Sequence, residues 1–366
     1  MKRIELDAPN ISFLEKEYLN KCLESGFIST FGPFVTEFEN KFAAYVNNDK
    51  AVAVQSGTAA LHMALLESGV GKGDEVIVPA LTFVATVNPV MYLGAKPVFV
   101  DVDLKTWNIS PESVKKNISK KTKAIIPVHL YGNPCDMTGL MAIAEKNNIR
   151  VIEDATESLG ALFNGKSTGT FGDFGCFSFN GNKVITTGGG GMVIGRDSQQ
   201  LDHIRFLINQ AKSGDGNTSP EIGYNYRLTN LEASIGLAQM EKLNDFLTKK
   251  KEFHAIYQKE FASVNHISLQ ENYRHAQSSH WFTCVALKDN YDVAVVIEKL
   301  KQKGIPTRRV FMPIVEFNPY KAFKKDPLIN SYKIYQGGLC LPSSTLNTAD
   351  DIRHVCEIVK EVVQNG

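Results

Sequence analysis

Apolar side chains stand on consecutive positions in Val76-Ile77-Val78 and in Ile125-Ile126-Pro127-Val128. A strand with one face in water alternates apolar and polar residues. A run without that alternation belongs to a strand covered on both faces, the mark of a parallel sheet between layers of helix. Strands are predicted on this basis at 51–55, 75–79, 97–100, 123–129, 150–154, 175–179 and 192–195, with helical spacing between them, for example at 58–67 and 140–146. The expected fold class is α/β, a mostly parallel central sheet covered by helices. Ligands of such sheets gather beyond the carboxyl ends of the strands.

The pattern changes after about residue 228. A long helical stretch over 228–243 continues to about 261, followed by a strand-like run at 281–287, a helix at 293–303, a strand-like pair at 340–341 and a last helix at 349–363. A chain of 366 residues exceeds the usual size of one core, so we expect a large domain over 1–249 and a smaller C-terminal α+β domain over 250–366. The net charge of +1 offers no bulk attraction to nucleic acid or an anionic membrane, so a phosphate-bearing ligand needs a local site. Six cysteines scattered without a C-x-x-C pair argue against a zinc cluster or a disulfide framework. The first residues lack the apolar core of a signal peptide, and no run of eighteen apolar residues occurs. A cytoplasmic protein with no metal, nucleic acid or membrane partner is expected.

Chemistry concentrates around Lys183, in Ser178-Phe179-Asn180-Gly181-Asn182-Lys183 just after a predicted strand. About thirty residues upstream, another predicted strand ends in Glu153-Asp154. A lysine and an acid so placed suit pyridoxal phosphate: the amine forms a Schiff base with the aldehyde, and the acid keeps the ring nitrogen protonated. The same lysine also fits a solvated surface turn. Asp154 suits either a pyridinium partner or a helix N-cap, and Glu157 either the cofactor's ring hydroxyl, across a shared helical face, or a capping pair with Asp154. Gln55-Ser56-Gly57-Thr58 follows a strand and opens a helix, which makes it an anion site or a plain N-cap. Phe83 is positioned to stack on a flat ring or to pack in the core. Arg308-Arg309 reads as a phosphate-binding pair or a solvated one. Phe27 and Ser29, in Gly26-Phe27-Ile28-Ser29, are further candidates for the substrate. The run Gly188 to Gly191 lacks the lysine and hydroxyl of a phosphate loop and reads as a turn that brings the backbone close to a cofactor.

Ser56-Gly57-Thr58-Ala59-Ala60-Leu61, Glu153-Asp154-Ala155-Thr156-Glu157, the Lys183 turn and Gly223-Tyr224-Asn225-Tyr226-Arg227-Leu228 together resemble the DegT-type sugar-nucleotide aminotransferases, over nearly the whole chain. The resemblance implies a fold type I pyridoxal phosphate enzyme in which Lys183 holds the cofactor and Asp154 pairs with the pyridinium nitrogen. It further implies that Phe83 stacks on the ring, Glu157 meets the ring hydroxyl, Gly57, Thr58 and Ser178 hold the phosphate, and His129 lines the pocket. Asn225 would reach the phosphate bound by a neighbouring subunit, which requires a homodimer. A branch of the family carries histidine at the lysine position and eliminates water, so Lys183 favours transamination from L-glutamate to a nucleotide-linked ketosugar.

Asn180-Gly181-Asn182 resembles the carbon-4 aminating enzymes of the bacillosamine, legionaminic acid and perosamine routes to surface glycans. The four-glycine run leans toward a UDP-linked 4-keto-6-deoxy-N-acetylglucosamine, with the GDP-linked perosamine type as the alternative. A non-catalytic ligand-binding regulator is the reading of another class, and the intact Lys183, Asp154 and Ser178 speak against it.

Overall fold

The computed structural model describes residues 3–364 apart from 215, 217, 289 and 290. The central sheet consists of β1 (Ala51–Val54), β2 (Glu75–Pro79), β3 (Lys96–Val100), β4 (Thr122–Ile125), β5 (Arg150–Asp154) and, after a small hairpin of β6 (Leu162–Phe163) and β7 (Lys166–Ser167), β8 (Phe174–Ser178) and β9 (Gly191–Gly195). Their order across the sheet is β1-β9-β8-β5-β4-β2-β3. Every neighbouring pair from β3 to β8 is parallel, and β9 runs against both of its neighbours.

Unbroken apolar runs are explained by what each face meets. In β1, Ala51 and Ala53 join the core that contains Phe38, Phe42, Phe177 and Phe179, whereas Val52 and Val54 join the opposite core with Leu61, Met63 and Leu65. In β2, Val76 and Val78 face that second core and Ile77 faces another, beside Leu140 and Val151. Period-two geometry thus sends successive apolar residues to different helical layers. The predicted strand at 123–129 stops early, at Ile125. Pro127 has no amide hydrogen to donate, yet its carbonyl accepts from Asp154 N at 2.9 Å, and Val128 still bridges Asp154.

The second lobe is an antiparallel sheet of β10 (Ile267–Leu269), β12 (Thr283–Leu287), β14 (Gly338–Leu341) and β13 (Arg308–Arg309), in the order β10-β12-β14-β13. Between β10 and β12, strand β11 (Ala276–Gln277) crosses to pair with β6 of the first lobe. The helices Val293–Gln302 and Ala349–Gln364 cover the second sheet. The helix Asn230–Phe261 opens with a capping box, Glu232 N donating to Thr229 Oγ1 at 3.2 Å and Thr229 N to Glu232 Oε2 at 3.0 Å. Position 249/250 lies in its middle. Leu237, Leu243 and Phe246 pack into the first lobe, and Phe253, Tyr257 and Phe261 into the second, which also takes in Ile4. Phe282, Cys284 and Cys340 of the second lobe share a core with Phe38 and Phe42 of the first.

Where the lobes join, His254 and His280 stack with ring centroids 3.8 Å apart, and His254 Nδ1 lies 3.2 Å from Thr283 Oγ1. Burial pulls their pKa values down from 6.5 to about 4 for His254 and about 3 for His280, the latter helped by the nearby His254 and by Lys250 and Lys251. An unfolded chain takes up both protons near pH 6.5, while the folded chain resists until about pH 4. The unfolded state therefore binds more protons in that window, and stability falls as the pH drops through it. His280 has a φ of +49°, which asparagine tolerates. We expect the melting temperature of His280→Asn to depend less steeply on pH between 6.5 and 4 than that of the wild type. Parallel curves would show that the pair does not control acid stability.

Candidate active site

A cavity of about 300 Å³ opens beyond the carboxyl ends of β5 and β8. Asp154 is the last residue of β5 and Ser178 the last of β8, and the two strands are paired in parallel, so both side chains reach the same edge of the sheet. Lys183 lies in the connection from β8 to the antiparallel β9, which brings the lysine back over that edge. Its backbone N–H donates to the carbonyl of Asn180 at 3.0 Å and closes the turn. Opposite stands the amino end of the helix Gly57–Glu67, where Ser56 caps by accepting from Ala59 N at 3.1 Å. Gly57 is forced by crowding: a Cβ there would lie 2.9 Å from Ser178 Cβ and 3.0 Å from Thr156 Cγ2.

The charges are unevenly satisfied. Asp154 Oδ2 accepts from Thr86 Oγ1 at 2.7 Å, and Oδ1 accepts from Thr156 Oγ1 at 2.7 Å and Thr156 N at 3.2 Å. Three donors orient this carboxylate and leave it room for one more. Glu157 Oε2 accepts from Tyr131 N at 2.8 Å, and Oε1 lies 3.8 Å from Lys183 Nζ. Burial raises the Glu157 pKa, against the pull of Lys183. Burial likewise lowers the Lys183 pKa, against the pull of Glu157 and Asp154. The amine rests 4.1 Å from the centroid of the Trp281 ring.

Arg308 and Arg309 part company because adjacent strand residues point to opposite faces. Arg309 donates from Nε to Tyr335 O at 3.0 Å and covers the Tyr335 ring, away from the cavity. Arg308 lines the cavity among Phe282, Trp281 and Phe311, its Nη1 3.7 Å from Asp7 Oδ2. Its Nε and Nη2 are shielded from water and have no acceptor among the described residues. Two buried guanidinium donors without a partner mark a place for an anionic group.

Of the expected site residues, Gly57, Thr58, Phe83, Asp154, Glu157, Ser178, Lys183 and Arg308 meet at this cavity. Phe83 is 53% exposed and so is not core. Glu157 arrives by a turn, not a helical face, and makes no cap with Asp154. His129 is a correction. It is fully buried, its Nε2 bonds Glu153 at 2.9 Å and its Nδ1 accepts from Cys135 N at 3.0 Å, so it braces the strand end without reaching the cavity. Phe27 and Ser29 are also not brought to Lys183. Phe27 lines a separate hollow with Phe31 and Arg227, and Ser29 offers its carbonyl to Asn230 N. Asn225 is exposed and outside the cavity of its own chain. Sequence reasoning missed Trp281, Phe311, Thr82 and Thr86, which line the cavity as well. An aromatic run at the start of a predicted strand was the only available signal for Trp281.

The arrangement holds a lysine amine, a carboxylate with spare capacity, an anion-binding helix end and an open aromatic face around one space, which fits pyridoxal phosphate. The model of the DegT/DnrJ/EryC1/StrS aminotransferase family matches residues 9–360. The chain is 40% identical over 363 residues to a GDP-perosamine synthase of Escherichia coli O157:H7, covering 99% of each chain. It is 38% identical over 369 residues to one of Caulobacter vibrioides, again over 99% of each. A structure of Streptococcus pneumoniae Spr1654, described as a sugar aminotransferase in its PLP form, superposes with a TM-score of 0.95 at 26% identity, covering 100% of this chain and 99% of its own. This chain belongs to the DegT/DnrJ/EryC1/StrS family and is a pyridoxal phosphate-dependent sugar-nucleotide aminotransferase.

Proposed function

We propose that the chain transfers the amino group of L-glutamate to carbon 4 of GDP-4-keto-6-deoxymannose, the perosamine-type reaction. The observation that carries this is the end-to-end likeness to two GDP-perosamine synthases. The UDP-sugar expectation rested on the four-glycine run, and backbone geometry accounts for most of that run. Gly188 and Gly190 have φ of +89° and +107°, and a Cβ on Gly191 would lie 2.6 Å from the carbonyl carbon of Ser56. Gly188 has open space around it but a left-handed backbone, so Gly189, with its nearest neighbour 3.4 Å from a Cβ and no positive φ, is the one position of the four free of both constraints. The run therefore answers to its own chain before it answers to a nucleotide.

When bound, pyridoxal phosphate supplies an aldehyde for an amine and an electron sink. In this reading Gly57, Thr58 and Ser178 hold the phosphate at the helix amino end, Phe83 covers the ring, and Asp154 stands at the ring nitrogen with Glu157 near the ring hydroxyl. Lys183 takes a proton from the α-carbon of glutamate and later gives one to carbon 4 of the sugar. Burial favours its neutral form for the first task, and the charge of Glu157 favours the ammonium for the second. Arg308 receives an anionic group of a substrate. Asn225 serves the phosphate site of a second copy, in a homodimer.

Lys183→Ala is expected to lower turnover by roughly 10⁴-fold or more, and Asp154→Asn by at least about tenfold, measured as release of 2-oxoglutarate. Either variant working at the normal rate removes the corresponding role. Gly57→Ala must push Ser178 aside, so it should retain the cofactor less tightly in equilibrium dialysis than the wild type. Equal retention would place the phosphate elsewhere. Given both ketosugars, the enzyme should prefer the GDP-linked one in kcat/KM by about 100-fold or more. Preference for the UDP-linked one would reverse the proposal.

A further inference from the structure

Trp281 is joined to the lysine turn in two ways at once. Its ring lies 4.1 Å from Lys183 Nζ, and its Nε1–H donates to the carbonyl of Asn182, the residue before the lysine, at 2.6 Å. The indole is itself fixed. It is 2% exposed, it stacks on Tyr131 at 6.3 Å, and its own carbonyl accepts from Lys250 Nζ at 3.1 Å. Lys250 is buried too and reaches a second carbonyl, that of Ser343, at 2.8 Å. Tyr131 in turn gives its backbone N–H to Glu157, the acid nearest to Lys183. One side chain of the second lobe thus touches the amine, the peptide that carries it and the support of its counter-charge.

We propose that Trp281 is a positioning residue for Lys183: its ring face holds the free ammonium between the two proton transfers, and its N–H holds the turn that aims the amine. This rests on the assignment of Lys183 as the group that moves the proton. An ammonium on a desolvated indole face is stabilised by the ring's quadrupole, and Trp is the best ring for it. A 1 Å displacement of a reacting group is enough to slow a reaction strongly. The other charged groups that face the amine are Glu157, Asp154, Asp7 and Arg308, with Lys250 across a small polar cleft. Trp281 itself carries no charge, and of these groups Arg308 also lies against its ring, 5.8 Å from the centroid, while keeping Phe282 and Phe311 as neighbours.

The test uses the full-length enzyme preloaded with glutamate and the cofactor, a state in which Lys183 is free. Trace acetic anhydride labels amines in proportion to their neutral fraction, and the Lys183 peptide is followed by mass spectrometry across pH. Trp281→Leu removes both the ring face and the donor. The labelling midpoint should move to lower pH by about one unit, as expected when a cation–π contact is lost. Its kcat should fall about ten- to a hundredfold, with the KM for the ketosugar within about twofold. Trp281→Phe keeps an aromatic face without the donor, so its midpoint should return toward wild type while kcat stays reduced. An unmoved midpoint in Trp281→Leu overturns the proposal, whether kcat holds or falls together with the melting temperature. An active Lys183→Arg enzyme would remove the assignment of Lys183 and this inference with it.

Discussion

An amine taken out of water is the constraint around which this structure is arranged. Burial alone pushes Lys183 toward its neutral form, the form that attacks an aldehyde or accepts a proton. Unopposed, it would also leave the amine a poor donor. Glu157 at 3.8 Å and the indole face at 4.1 Å pull the other way. Neither is a tight, fully bonded partner, so the lysine is poised and not locked. A direct hydrogen-bonded ion pair would have held the proton in place.

The sheet makes that poise possible because of where strands end. β5 and β8 are parallel neighbours, so Asp154 and Ser178 finish at one edge without any loop having to carry them there. β9 then runs antiparallel, which returns the chain across the same edge and places the lysine turn over both. Close approach has its own requirement. Gly175 in β8 could carry no Cβ, since one would lie 2.1 Å from the carbonyl oxygen of Gly169. Gly169 and Gly172, in the stretch after β5, are crowded as well, since a Cβ would lie 2.5 Å from Phe177 Cζ and 2.5 Å from the carbonyl oxygen of Val151 respectively.

Much of this was legible in the sequence, because local rules and the fold agree. Consecutive apolar residues gave β2 and β5 with their observed ends, and a serine before a helical run gave the cap at Ser56. The site's acid, lysine and glycine lie on elements that one strand or one turn defines. Failures came where the answer depends on a distant partner. His129 follows a strand as a pocket residue would, but its partners are Glu153 and the backbone of Cys135, and no spacing rule reveals them. Glu157 was expected on a helical face and instead reaches the lysine by a turn. Arg308 and Arg309 look alike in sequence, and a two-residue strand sends one into the cavity and the other onto Tyr335.

Trp281 was invisible for a further reason: it stands 98 positions beyond the lysine, in the other lobe, and arrives through the packing that joins the lobes. That packing has a chemical consequence. His280, which stacks on His254, is the residue immediately before Trp281, and Lys250, bonded to the Trp281 carbonyl, lies one turn from His254 on the same helix. The segment that packs against the Lys183 amine is therefore held by three basic groups whose charged forms are all disfavoured by burial. Adding protons there adds mutual repulsion beneath the indole. The acid sensitivity expected at the lobe joint and the placement of Lys183 then have a common origin, since the same few side chains are responsible for both.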